Sequence, residues 1–60
     1  MTNATEFQIE GVTLVVYYDR TSRAWWGFYV DQNGDQIGEA WNNVSRDYLL
    51  LTRPAVPVAV

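Results

Sequence analysis

The sequence predicts a small β-rich domain of the α+β class, a three-stranded antiparallel meander with one short C-terminal helix packed on one face. Two runs of β-branched and aromatic residues, at 12–18 and 24–30, are typical of strands. Polar connections at 19–23 and 31–35 separate these runs from each other and from a weaker third strand. After residue 40, apolar residues recur every three or four positions, as on one side of a helix.

The N-terminal part carries the first strand signals. Phe7 and Ile9 alternate with polar residues, which indicates a short strand. The apolar positions then change from odd to even numbers across Gly11, which predicts a β-bulge or a tight turn there. The first long strand follows at 12–18, and Asp19 opens a five-residue polar connection.

The second long strand, at 24–30, leads into a hairpin signal. Asn33-Gly34 is the dipeptide that best predicts a tight turn between two strands. A weaker third strand follows at 36–40.

Residues 41–52 fit two interpretations. A helix would place four apolar residues on one face: Trp41, Val44, Tyr48 and Leu51. Asn42, Asn43 or Ser45 would cap it, and Pro54 would end it. In the alternative, 47–52 form a strand, and the fold is an all-β four-stranded meander.

Length and composition limit the domain organisation. The 60 residues allow one domain, which we place at 1–53, followed by an extended Pro/Val tail at 54–60 that is either free or docked. The chain has neither cysteine nor histidine, so disulfides and the commonest zinc ligands are excluded. Apolar residues make up 48% and aromatic residues 15%, which favours a dense core or a partner subunit as the source of stability.

Charge and residue types argue against several functions. The net charge is −3 and lysine is absent, so a nucleic-acid partner is not expected, and an acidic surface favours a basic partner. Without His, Cys or Lys, most general bases and nucleophiles are missing, which predicts a protein that is not an enzyme. Asp31, Asn33 and Asp35 have the spacing that opens a calcium loop, but the glycine and glutamate that must follow are missing. We therefore predict no cofactor and no metal.

The faces of the two long strands point to a contact surface. We predict the core from one set of residues: Val12, Leu14, Val16, Tyr18, Ala24, Trp26, Phe28 and Val30. The opposite face carries Thr13, Val15, Tyr17, Trp25, Gly27 and Tyr29. A solvated face should be polar, and this one is aromatic. We predict that a partner binds a group of five residues: Tyr17, Trp25 and Tyr29, with Arg20 and Arg23 at one hairpin end.

Three functional hypotheses follow. The leading one is a non-catalytic protein-binding module, and the small size suits a phage or bacterial accessory protein that inhibits or modulates a larger protein. The second is a structural homo-oligomer that associates through the aromatic face, although the tail or Phe7 and Ile9 could also cover that face. The third is a single-stranded nucleic-acid binder. The N-terminus lacks a signal peptide and no apolar run is long enough to cross a membrane, so we expect a cytoplasmic protein without a membrane partner.

Overall fold

The computed structural model describes residues 4–57 and shows a four-stranded antiparallel sheet in the order β1-β2-β3-β4 with one short helix. The strands are β1 (Thr5–Ile9), β2 (Val12–Asp19), β3 (Ala24–Val30) and β4 (Gln36–Asn43), and the helix is α1 (Arg46–Leu51). The predicted β-rich α+β class is confirmed. The sheet has four strands rather than three because the alternating residues before Gly11 form a strand of their own.

The connection between β1 and β2 is a tight turn rather than a bulge. Ile9 pairs with Val12, so the loop consists of Glu10 and Gly11 alone. Both have positive φ, at 49° and 85°. These values identify the turn of mirror-image geometry that fits the twist of a hairpin.

The β2–β3 connection is one residue shorter than predicted, and this difference reverses the faces of β3. Asp19 pairs with Ala24, which leaves a loop of four residues instead of five. Leu14 therefore lies opposite Tyr29, and not opposite an even-numbered residue. Because neighbouring side chains on a strand point to opposite faces, a shift of one residue exchanges the two faces. The prediction that Trp26 and Phe28 belong to the core with Leu14 and Val16 was wrong.

The C-terminal elements also differ from the prediction in their bounds. β4 continues to Asn43, so Trp41 belongs to a strand and not to the helix. The helix begins only after Ser45, whose side chain accepts a hydrogen bond from the Tyr48 N–H at 3.2 Å. The alternative fourth strand at 47–52 is wrong, since most of these residues are helical.

The core lies between the sheet and the helix. Its fully buried side chains are Leu14, Val16, Tyr29 and Leu49. Gly27 lies beneath the Trp41 ring, because a Cβ at position 27 would be 2.9 Å from the Trp41 Cζ2. The predicted core face of the helix was wrong: Val44, Tyr48 and Leu51 are exposed. Leu49 occupies the core position instead.

The segment after the helix docks onto the same side of the sheet. The Tyr29 hydroxyl donates to the Pro54 carbonyl at 2.7 Å, and Arg53 Nη1 donates to that hydroxyl at 2.8 Å. Val56 packs against the core cluster. Residues 54–57 are thus docked on the helix side, while residues 58–60 of the predicted tail lie outside the described residues.

Candidate partner-binding surface

The side of the sheet that faces away from the helix carries a half-buried apolar surface. We call it the open face and define it by five residues: Val15, Tyr17, Trp26, Phe28 and Val30. Leu49 and Val56 pack on the other side, with Leu14. Within residues 4–57, neither the helix nor the C-terminal segment covers the open face.

The open face has an aromatic centre on the two middle strands. Val15 pairs with Phe28 and Tyr17 pairs with Trp26, so three of these four side chains are aromatic. The Tyr17 and Phe28 rings make an edge contact, with centroids 6.2 Å apart and planes inclined by 73°. These contacts explain why the rings are half-buried although no layer of the described chain covers them.

The edge strands surround this centre with polar side chains. Glu6 and Gln8 of β1 share the open side, because they pair with Val15 and Thr13. Gln36 and Asn42 of β4 do so as well, because they pair with Val30 and Trp26. An apolar centre with a polar rim is the usual arrangement of a protein–protein contact surface.

Trp26 is held in place by hydrogen bonds from the β2–β3 turn. Its indole Nε1 donates to Ser22 Oγ at 2.9 Å, and Ser22 Oγ donates to Asp19 Oδ2 at 2.8 Å. The hydrogen bond from the Ser22 hydroxyl is the largest cause of the lowered pKa of Asp19; desolvation opposes it, and the backbone N–H groups of Thr21 and Ser22 lower the pKa further. Asp19 therefore stays ionised and fixes the turn that orients Trp26.

The structure separates the five predicted contact residues. Tyr17 lies on the open face. Trp25 and Tyr29 lie on the helix side, where Tyr29 is 1% exposed and Trp25 packs against the core cluster. Arg20 and Arg23 are exposed in the β2–β3 turn, and Arg23 has a positive φ of 55°. The buried Tyr29 ring cannot make the predicted contact, whereas partner binding by the others stays a prediction.

Trp26 and Phe28 were not predicted as surface residues. Both faces of β3 carry aromatic side chains, so hydrophobicity alone does not distinguish them. The signal that could have found them was the turn: Asp19 and Ser22 can hydrogen-bond within a four-residue loop, which fixes the pairing register. An even-numbered loop places even residues of β2 opposite odd residues of β3.

A second apolar surface lies on the outer side of the helix. Val44, Tyr48 and Leu51 are 77%, 57% and 79% exposed. Tyr48 and Leu51 are three residues apart in α1 and so lie on one side of it, while Val44 precedes the helix. The predicted helix face is thus found only in part: Tyr48 and Leu51 lie in α1, Val44 precedes it, and all three are exposed.

A cavity lies beside β4. Its volume is about 330 Å³, and it lies between β4 and residues 54–57, with Tyr29 and Trp41 in its wall. Its wall contains one carboxylate, that of Glu39. Covalent catalysis uses a nucleophile beside a base, and the described residues that line this cavity do not include a Ser, Thr, Cys, Lys or His. Among residues 4–57, no group of three or more His, Cys, Asp or Glu is placed to hold a metal ion.

Comparisons with protein families, curated proteins and solved structures gave no match for this chain. Over the described range 4–57, no helix has the length and apolar character needed to span a membrane.

Proposed function

We propose that this chain is a non-catalytic protein-binding module that contacts a larger protein through the open face and modulates it. The observation that carries the proposal is the aromatic centre of that face, with Tyr17, Trp26 and Phe28 left without a covering layer in the described chain. Tryptophan and tyrosine dominate binding energy at protein interfaces, because they bury large areas at small cost in conformational entropy.

The charge at the β1 edge supports a partner with an apolar patch and a basic group facing that edge. The open side carries the carboxylate of Glu6 on β1 and that of Asp19, which lies beside the exposed Arg20 and Arg23 of the β2–β3 turn, and both carboxylates lie outside the aromatic centre. Charges at the rim of an interface affect association rate and specificity more than affinity. The same carboxylates disfavour a single-stranded nucleic acid, which needs a positive groove beside its stacking rings.

The hydrogen-bonded Trp26 supports the proposal because a fixed side chain loses little freedom on binding. The Ser22 hydroxyl and the Asp19 carboxylate hold the indole before any partner arrives. Preorganisation of this kind raises affinity by lowering the entropic cost of association.

Site-specific photo-cross-linking tests the proposal. A photoreactive amino acid is placed at Phe28 on the open face, and in a matched control at Tyr48, which is 57% exposed on the helix. We expect position 28 to cross-link to a distinct protein that position 48 does not capture. With that protein purified, Phe28→Ala should weaken binding by roughly 30-fold or more, as hot-spot residues do. Equal cross-linking at both positions, or unchanged affinity, would overturn the proposal.

A second candidate is self-association through the same face, which would give a structural assembly. The flat shape favours it, since the molecule extends over 33 × 25 × 16 Å and presents a broad sheet. Light scattering over a tenfold concentration range distinguishes the two, because self-association of the wild type that Phe28→Ala abolishes would support assembly. A monomer at all concentrations would leave the face free for another protein.

A further inference from the structure

The two edges of the sheet differ in their readiness to pair with another strand. The pairing of β4 with β3 is interrupted between Ile37 and Trp41, opposite Tyr29 and Gly27, and Gly38 in this stretch has a φ of 71°. The Pro57 ring also packs against Gly38, since a Cβ at position 38 would lie 2.7 Å from the Pro57 Cγ. Bulges and a covering segment are the means by which proteins block edge pairing.

The β1 edge has none of these features. Thr5–Ile9 pairs with β2 without interruption over five positions and contains neither glycine nor proline. In the sheet, β1 has β2 on one side and no strand of the described chain on the other. Its outward backbone N–H and C=O groups can therefore accept an antiparallel strand.

From this asymmetry and the sequence of β1, we propose that two copies of this chain pair through their β1 edges, antiparallel and centred on Phe7. The partner strand is a second copy because β1 is complementary to itself in this register. Glu6 lies opposite Gln8 of the second copy, Phe7 lies opposite Phe7, and Thr5 lies opposite Ile9. Carboxylate meets amide on the open side. On the helix side Phe7 meets Phe7 between two Thr5–Ile9 pairs, and Phe7 and Ile9 already pack against the core.

Other registers are less favourable. A shift of one residue would bring the polar side of β1 against the apolar side of the second copy. A shift of two residues in one direction sets Glu6 against Glu6. In the other direction it sets Glu6 against Glu10, which lies in the turn with a φ of 49°. Glu6 therefore selects the register centred on Phe7, because like charges directly opposite each other are destabilising.

The paired copies form a continuous sheet of eight strands. Both open faces then lie side by side on one surface, and neither is covered. The pairing does not depend on the proposed function, but it would present that function's contact surface twice, so that a partner with two sites would bind with increased avidity.

A charge exchange at positions 6 and 8 tests the register by sedimentation equilibrium. Gln8→Glu sets a second carboxylate opposite Glu6 of the other copy, at both ends of the paired strands, and should weaken dimerisation roughly threefold to tenfold. The double variant E6Q/Q8E reverses the pair and should restore the wild-type dissociation constant within about twofold. Gln36→Glu makes the same change on the β4 edge and controls for net charge; it should leave dimerisation unchanged.

Each outcome bears on the proposal. A wild type that stays monomeric up to millimolar concentration overturns it, as does a double variant that dimerises no better than Gln8→Glu. Contacts between Glu6 and Gln8 of different copies, seen by isotope-filtered NMR in a mixed-label sample, would support it directly. A dimer that Phe28→Ala abolishes and Gln8→Glu leaves intact would be a face-to-face dimer, which refutes edge pairing and also leaves no open face for another protein.

Discussion

The hydroxyl of Tyr29 links the middle of the sheet to the segment after the helix, and its removal gives a direct measure of that link. Tyr29→Phe keeps the ring, which is 1% exposed, and deletes two hydrogen bonds of 2.7 and 2.8 Å. Each such bond contributes roughly 0.5–1.5 kcal/mol net, and a charged donor is at the upper end. Pro54 is exposed, so water can replace the lost donor at its carbonyl. We expect a loss of about 1–2 kcal/mol in the free energy of unfolding.

Thermal unfolding followed by circular dichroism measures this loss. For a domain of this size, 1 kcal/mol shifts Tm by about 4–8 °C, so Tm should fall by about 5–15 °C. Tyr17→Phe is the matched control, because it removes a hydroxyl from the half-buried open face, where water remains within reach; its Tm should change by less than about 2 °C. If the Tm of Tyr29→Phe falls no more than that of Tyr17→Phe, the hydroxyl does not hold the C-terminal segment, and our account of its docking is wrong.

Three further predictions concern the core and the β2–β3 turn. Leu49→Ala should destabilise the fold by about 2–5 kcal/mol in urea unfolding, while Leu51→Ala, at a position 79% exposed, should change stability by less than about 0.5 kcal/mol; similar losses would mean that the helix packs through its other side. Gly27→Ala should cost about 1–3 kcal/mol, since its Cβ would lie 2.9 Å from the Trp41 ring, and a neutral result would show that the ring moves freely. Hydrogen bonds lower the pKa of Asp19 in the folded state. The ionised Asp19 therefore contributes fully to the free energy of unfolding above its unfolded pKa of about 4, and this contribution is lost as the pH falls through the folded pKa. The Trp26 indole N–H resonance should stay constant from about pH 8 to 5 and shift only below about pH 4; a shift near neutral pH would contradict the Asp19–Ser22–Trp26 connection.

Most of the sheet could be predicted from local sequence. The strands at 12–18 and 24–30 follow from runs of β-branched and aromatic residues, and the turn at Gly11 follows from the change in parity. These features depend on side chains that are close together in the sequence, so local rules are sufficient. The turn at 31–35 is of the same kind: Asp31 Oδ1 accepts from the backbone N–H groups of Asn33 and Asp35.

The choice of faces could not be predicted in the same way. On β3, Trp25 and Tyr29 are as apolar as Trp26 and Phe28, so the register depends on whether the β2–β3 loop has four or five residues. A similar ambiguity affects the helix, because three consecutive leucines offer more than one apolar side. Leu49 is buried because the helix begins after Ser45 and lies over β3 and β4, a tertiary constraint that periodicity does not contain.

The open face itself was expected from an excess of aromatic side chains over the surface that one helix can cover. That expectation holds for the described chain, although the side chains involved differ. The aromatic load of both strand faces left open whether the second face would be covered, and the loop length decided which rings were left at the surface of the described chain.

The sequential strand order has a consequence for how the chain folds. Each strand pairs with its neighbour in the sequence through connections of two, four and five residues, so loop closure costs little entropy and folding should be fast for a β protein. The bond between Tyr29 and Pro54 spans 25 residues and closes the longest of the side-chain hydrogen-bonded loops among residues 4–57. Docking of this segment should therefore follow the rate-limiting step. Tyr29→Phe would then accelerate unfolding and leave the folding rate almost unchanged, so the segment would determine how long the folded state persists rather than how quickly it forms.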